Sequence, residues 1–356
     1  MHPYIPPTLP LDKEVETKKI LKKTISANRA LAKLNGVAKI IPNRNILINS
    51  LVLQEAKDSS EIENIITTHD ELYRADLDIK HITQATKEVQ NYKNALLKGY
   101  ELITEHKLLL QRHIVEIQQI LEQNSAGVRR QSGTNLKNAR TGEVVFVPPQ
   151  QYEEIVKLLA NLERYINEPN DLDPLVNMAI IHYQFETIHP FYDGNGRTGR
   201  IINILYLILQ ELLELPILYL SNYIIKNKSD YYRLLQEVRV KENWEEWILY
   251  MLDGVEQTSI QTTLLINDIS TMMKETKYTI REKLPKIYSK DLIEILFFHP
   301  YTKIEFLVDG LGLHRETASK YLKSIEQLGI LESIKMGRGK YFVNKRLFER
   351  LKKGLS

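Results

Sequence analysis

Two strongly apolar segments, "DPLVNMAIIHYQFETIH" and "RTGRIINILYLILQELL", lie on either side of the short stretch "PFYDGNG" at residues 190–196. Apolar residues recur in both at helical spacing. In the first, Leu175, Met178, Ala179, Tyr183 and Phe185 or Ile188 are expected on one side. The chain therefore reads here as helix, glycine-bearing bend, helix, with the bend delivering its glycines to a helix N-terminus. Most other periodic segments are helical too, for example Leu108, Ile114, Ile117, Ile120 and Leu121, or Ile155, Leu158, Leu159, Leu162 and Ile166. The expected fold is mostly α. The main exception is "NARTGEVVFVPP", where β-branched and aromatic residues follow a Thr-Gly turn, so a short hairpin is expected around 141–147, stopped by Pro148 and Pro149.

Composition excludes several functions. Without cysteine there are no disulfides, thiolate metal sites or thiol nucleophiles. A net charge of +3 gives no bulk argument for nucleic acid or a membrane surface, so any basic patch must be local. The longest apolar run, "IINILYLILQELLELPILYL", carries Asn203, Gln210, Glu211 and Glu214, which suits a buried helix and not a membrane span. The opening "MHPYIPPTLPLDKEVETKK" lacks the apolar core of a secretory signal. A soluble, cytoplasmic protein is expected.

The bend carries the chemistry. At a helix N-terminus the free backbone N–H groups and the positive end of the dipole favour an anion. Gly194 and Gly196 let the backbone approach an oxygen-rich ligand, and Arg197 and Arg200, three residues apart on the first turn, are expected to reach one anion from one face. A ligand with several phosphates fits, with Asp193 placed to hold a Mg²⁺ that bridges them. His189 is the nearby group whose pKa suits removal of a proton from a hydroxyl. A plain turn between two helices would explain each of these residues singly, but not a base, an acid, an anion nest and two arginines together.

His189 to Arg200, "HPFYDGNGRTGR", resembles the signature of the Fic family, HPFx(D/E)GNGRxxR, at every fixed position. The resemblance implies a Fic-type helical bundle with a small β-hairpin flap, and a protein adenylyltransferase that moves AMP from Mg-ATP to a Tyr, Ser or Thr hydroxyl of a target protein or of itself. It implies His189 as general base, Asp193 as Mg²⁺ ligand and Asn195 as an α-phosphate contact. Gly194, Gly196 and Arg197 would form the anion hole, Arg200 would hold the γ-phosphate, and Thr198 and Gly199 lie in the same ATP-binding turn. Phosphoryl transfer asks mainly for positioning and charge stabilisation, which this residue set offers. Other transfers within the fold, such as phosphate or phosphocholine, leave the transferred group open.

Neighbouring segments extend the resemblance. "NLKNARTGEVVFVPP" looks like the family's flap, on which a target segment would lie as an added strand, with Thr141, Gly142, Val145 and Phe146 as its candidate residues. A merely structural hairpin is the alternative. "IIKNKSDYYRLL" resembles the region that packs on adenine, with Tyr232 as the candidate contact, though a plain amphipathic helix with core tyrosines reads as well. In "SSEIENIITTHDEL", Ser60 and Glu63 stand at capping-box spacing, which predicts a helix start. Ser59, Glu63 and Asn64 also fit the family's inhibitory motif (S/T)xxxE(G/N), which implies that Glu63 pairs with Arg200 and restrains transfer.

The segment from 285 to 356 reads as helix, helix, a tight turn at "GLG", a third helix and two short strands around "GRGK", the order of a winged helix-turn-helix. From Ile334 to Lys353 there are eight Lys or Arg against one Glu, and the third helix adds His314, Arg315, Lys320 and Lys323, so DNA is a candidate partner beside protein binding or a homodimer. The expected organisation is an N-terminal helical region 1–90 with the inhibitory helix, a catalytic domain 91–255, a connecting helix or linker 256–284 and the C-terminal module 285–356. Two further readings stay open: a DNA-binding regulator that uses the Fic core as a nucleotide sensor, and an enzyme that removes AMP from modified proteins. The target protein is not legible.

Overall fold

The computed structural model describes residues 2–77, 82–137, 141–336 and 339–354. The chain runs α1 (Lys18–Ala38), α2 (Arg44–Ile62), α3 (His69–Ala75), α4 (Gln84–His106), α5 (Gln111–Glu122), β1 (Leu136–Lys137), β2 (Val144–Phe146), α6 (Tyr152–Asn167), α7 (Pro174–Ile188), α8 (Asn195–Leu209), α9 (Ser221–Lys226) and α10 (Lys228–Lys241). It continues with α11 (Trp244–Lys283), α12 (Lys290–Phe298), β3 (Tyr301–Thr302), α13 (Ile304–Leu311), α14 (Arg315–Gln327), β4 (Glu332–Met336), β5 (Gly339–Val343) and α15 (Lys345–Lys353). The mostly α expectation holds. No helix among the described residues is long and apolar enough to cross a membrane.

At the centre, α7 packs against α8, and α4, α5 and α6 surround the pair. One-sided burial was the expectation for α7; instead every residue from Leu175 to Ile188 is buried, because neighbours cover the helix all round. Close approach has a visible cause on α4. A Cβ on Gly99 would stand 2.5 Å from Leu205 Cδ1 and 3.0 Å from Ile117 Cδ1, so the missing side chain lets α5 and α8 seat on the helix. Trp247 of α11 closes the core from the other side, donating its indole N–H to the Ala179 carbonyl at 2.8 Å.

Residues 256–283 are the continuation of α11, a single helix of 40 residues. Along its first half it holds α1, with Lys19 on Glu246 at 3.0 Å and Lys23 on Glu256 at 2.5 Å. Its second half meets α15 through Arg346–Glu275 and Arg350–Asp268, both 2.7 Å.

The C-terminal segment builds a small antiparallel sheet in the order β3-β5-β4, with Tyr301 opposite Val343 and Ser333 opposite Phe342. It docks on the N-terminal helices. Tyr73 of α3 meets His299, Tyr301 and Phe348 at ring distances of 5.3, 6.4 and 5.9 Å, and Asn43 donates to Glu294 at 3.0 Å. The sequence reading anticipated the helices and the two strands β4 and β5, but not β3 or α15; β3 is too short to leave a periodic signal.

Candidate active site

α7 ends where the chain turns into the left-handed region at His189, φ 49°, a conformation uncommon outside glycine. The His189 N–H still bonds the Phe185 carbonyl at 3.0 Å, so the helix is capped where the bend begins. Gly194, φ 76°, then begins α8. The Asn195 amide accepts from Phe191 N–H and donates to the Phe191 carbonyl, both at 2.9 Å, and thereby staples the bend. Asp193 bends back to accept from Gly194 N–H at 2.7 Å. Thr198 N–H is taken by the Gly194 carbonyl at 2.9 Å, so the first-turn N–H groups of α8 remain as the anion-facing donors.

Two carboxylates sit over this turn. A Cβ on Gly194 would lie 2.4 Å from Glu122 Oε1, and one on Gly196 would lie 2.3 Å from Glu63 Oε1. A side chain at either place would have to push the carboxylate aside. Arg200, 2 % exposed, donates through Nε to Ser59 Oγ at 2.8 Å, and through Nη2 to the Ser59 carbonyl at 3.0 Å and Glu63 Oε1 at 2.8 Å. Arg197 turns elsewhere, to Glu122 at 2.7 Å and Glu88 at 3.5 Å. The two guanidiniums thus meet separate carboxylates from α2, α5 and α4. Burial pushes the Glu63 carboxyl up, but the charge and hydrogen bond of Arg200, with Arg197 and Lys228, outweigh it and leave the group below its ordinary value. For Glu122 burial prevails over Arg197, and the pKa is raised.

The capping-box spacing of Ser60 and Glu63 does not start a helix. Glu63 is instead the C-cap of α2, with its N–H on the Ser60 carbonyl at 3.0 Å, and Asn64 follows at φ 63°. The helix had already been started by Asn43, whose side chain accepts from Asn45 N–H. Ser59 is fully buried, which brings its hydroxyl and carbonyl to Arg200.

Around His189 the environment is cationic. Burial first, then Arg129 and Arg239, depress the imidazole to about 4, so it is neutral at pH 7. Its Nδ1 is buried without a hydrogen-bond partner among the described residues. Glu186, one turn earlier on α7, is 8 % exposed and burial raises it to about 7. Its Oε1 would lie 2.6 Å from a Cβ on Gly199, so that glycine allows α7 and α8 to meet at the site. Thr198 is fully buried beside it.

The flap strands β1 and β2 pair antiparallel, Leu136 opposite Phe146 and Lys137 opposite Val144. Residues 138–140, within the stretch expected to turn, lie outside the described residues. Thr141 donates to Glu143 at 3.2 Å and Gly142 has φ 72°. Val145 is exposed, whereas Phe146 is buried beneath the Arg239 guanidinium, 3.8 Å from its ring centroid, and edge-on to Tyr4 at 6.2 Å. Tyr4 N–H also reaches the Val147 carbonyl at 2.9 Å. Of the tyrosine pair on α10, Tyr231 is core, bonding His182 at 2.7 Å, and Tyr232 is 45 % exposed; burial and the Glu63 charge raise its hydroxyl pKa.

Sequence reasoning missed Glu122, Arg129, Glu186 and Arg239. Glu186 carried a signal in its helical spacing from His189; the others come from segments whose approach only the packing decides. For Mg²⁺, no group of three His, Asp or Glu side chains among the described residues is spaced to hold a metal. Asp193, exposed at the rim of the anion-facing turn, fits an ion that completes its shell with water and phosphate oxygens.

Three family profiles match the chain: Fic/DOC family N-terminal at residues 21–101, Fic/DOC family at 103–207, and the C-terminal domain of SoFic-like protein adenylyltransferase at 272–347. A protein adenylyltransferase of Caenorhabditis briggsae is 30 % identical over 96 residues, 26 % of this chain and 19 % of its own length. A probable protein adenylyltransferase of Aquifex aeolicus is 26 % identical over 209 residues, 57 % of this chain and 59 % of its own. Both matches span less than two thirds of the relative. Among solved structures, a Fic family protein from Desulfovibrio desulfuricans superposes with a TM-score of 0.59 at 20 % identity, over 93 % of this chain and 97 % of that one. Fic-1 of Caenorhabditis elegans superposes with a TM-score of 0.53 at 21 % identity, over 69 % and 72 %.

Proposed function

This chain belongs to the Fic/DOC family, and from that premise we propose that it transfers AMP from ATP to a protein hydroxyl and is restrained by its own Glu63. The carrying observation is a neutral imidazole, His189, beside a glycine turn at a helix N-terminus whose two arginines are already bonded to carboxylates. A triphosphate has the charge and oxygens to replace those carboxylates.

In the transfer, His189 takes the proton of the target hydroxyl as its oxygen bonds the α-phosphorus, and the bond to the β-phosphate oxygen breaks to release pyrophosphate. Asp193 would hold Mg²⁺, which neutralises phosphate charge when bound. First-turn N–H groups of α8 and Arg197 stabilise the developing negative charge. Arg200 serves the terminal phosphate only when Glu63 leaves, which makes the 2.8 Å pair a brake. Tyr232 would border the adenine, and the exposed side of β2 would receive the target as an added strand.

The test is mass spectrometry of the Glu63→Gly protein after incubation with ATP and Mg²⁺. One added adenylyl group, absent without ATP, is the expected result. An unmodified protein that still binds ATP would favour a nucleotide-sensing regulator.

For the C-terminal module we infer a winged helix-turn-helix that contacts duplex DNA. Its support is the exposed face of α14, where Arg315, Lys320 and Lys323 border a groove of about 350 Å³. Binding to mixed-sequence duplex that weakens steeply with salt is expected.

A further inference from the structure

Arg129 stands at a place where a guanidinium is expensive. It is 0 % exposed, and among the described residues no carboxylate lies within ion-pair distance. A buried ion without a counter-charge costs several kcal/mol even after the protein relaxes. Its acceptors are main-chain carbonyls instead. Nε donates to the His189 carbonyl at 2.8 Å, Nη2 donates to the Pro149 carbonyl, and the Arg129 N–H donates to the Pro190 carbonyl at 2.9 Å. Nη1 is buried without a partner among the described residues.

These three carbonyls belong to two different parts of the site. Pro149 closes the flap just beyond β2, and His189 and Pro190 begin the catalytic bend. His189 also needs holding, since its left-handed backbone is a conformation that a side-chain-bearing residue leaves unless neighbours constrain it. Its N–H is tied to Phe185, and its carbonyl is tied to Arg129. Rotation of the His189 peptide planes would swing the imidazole, so both ties bear on where the ring points.

Building on the transferase reading above, we propose that Arg129 is a positioning residue: by bonding the carbonyls of Pro149 and His189 through its guanidinium it locks the flap base to the catalytic bend and aims the imidazole at the phosphate cradle. Arginine suits this role because its planar fork spans two acceptors at once, whereas lysine offers a single point charge. The same placement has an electrostatic consequence. The charged groups facing His189 are Arg129, Arg239 of α10 and Glu63 at the end of α2, with the Glu186 main-chain carbonyl opposing the two cations; after burial, Arg129 acts most strongly to keep the ring unprotonated. A target strand that docks on the flap would therefore press on the catalytic base through one side chain.

The experiment uses full-length Glu63→Gly protein carrying Arg129→Gln or Arg129→Lys, with folding checked by circular dichroism and thermal melting. Two readouts run in parallel: kcat and KM for ATP in self-adenylylation, and the His189 titration midpoint by NMR of histidine-labelled protein, identified by loss of its signal in His189→Ala. For Arg129→Gln, kcat is expected to fall about 100-fold with KM for ATP within threefold, as for a misplaced catalytic group, and the midpoint to move up. For Arg129→Lys, the midpoint stays near the parent value while kcat recovers only in part. A folded Gln variant with kcat within twofold of its parent and an unmoved midpoint overturns the proposal. If the Gln variant does not fold, full kcat in the Lys variant does the same. Should no variant, parent included, transfer AMP, the transferase reading has failed, and the NMR midpoints still decide whether Arg129 governs the imidazole.

Discussion

The candidate catalytic bend and the C-terminal module both carry many charges, but they hold them differently. In the bend, Arg129, Arg197 and Arg200 are each 4 % exposed or less, and every one is fixed by named acceptors. In the module, Lys320, Lys323 and Lys340 face solvent, and the buried set is mostly apolar, with Leu296, Phe297, Leu307, Leu322, Ile325, Phe342 and Leu347 beside the polar His299, Thr302 and Asn344. The energetics diverge accordingly. Removing one partner of a buried charge leaves the other uncompensated at about 3–5 kcal/mol, while an exposed pair such as Arg315–Glu305 is worth about 0–1 kcal/mol. Charge changes in the bend should switch chemistry; in the module they should tune an association.

The sharpest way to break that contrast is His189→Ala in the Glu63→Gly background. Transfer of labelled AMP is expected to drop about 10²–10⁴-fold with the fold intact. Residual transfer within tenfold of the parent would remove His189 as base. Next in size is Glu63→Gly itself, expected to raise self-adenylylation about 5–150-fold, the range of a coupling of about 1–3 kcal/mol; no rise means the pair with Arg200 restrains nothing.

A subtler test concerns the second carboxylate. Glu122→Gln removes the negative charge that Arg197 meets at 2.7 Å, so ATP affinity by calorimetry is expected to tighten roughly tenfold, about 1.4 kcal/mol. Weaker binding would mean that Glu122 orients Arg197 for the phosphates. The pH profile follows. Because His189 is depressed to about 4, its base form persists on acidification, and the acid limb of the Glu63→Gly rate should fall near pH 4 and not near 6.5. Smallest of all, Lys320→Ala with Lys323→Ala should leave stability within about 0.5 kcal/mol and AMP transfer unchanged, while reducing both affinity for duplex DNA and its salt slope.

Much of the site was legible because it is contiguous. His189, Gly194, Gly196 and Arg200 lie within twelve residues, and the helical pattern on both sides told where the bend must open. Legibility failed where local pattern and tertiary context disagree. Ser60 and Glu63 have helix-start spacing, yet α2 runs through Ser60 and ends before Glu63, since thirteen buried residues of that helix outweigh a capping preference of about 1 kcal/mol. Arg197 and Arg200 share a helical face in the sequence, but carboxylates on three different helices draw them apart.

By itself the sequence determined the helical architecture and a motif-bearing turn with its histidine, glycines and arginines, because periodicity and a short motif act over neighbouring residues. Only the tertiary structure decided that Glu63 meets Arg200 across 137 positions, that Glu122 covers Gly194, and that Arg129 bonds the His189 and Pro149 carbonyls. The reason is physical: the strength of a charge contact depends on burial and on the distance between acceptor and donor, and both exist only after distant segments have packed.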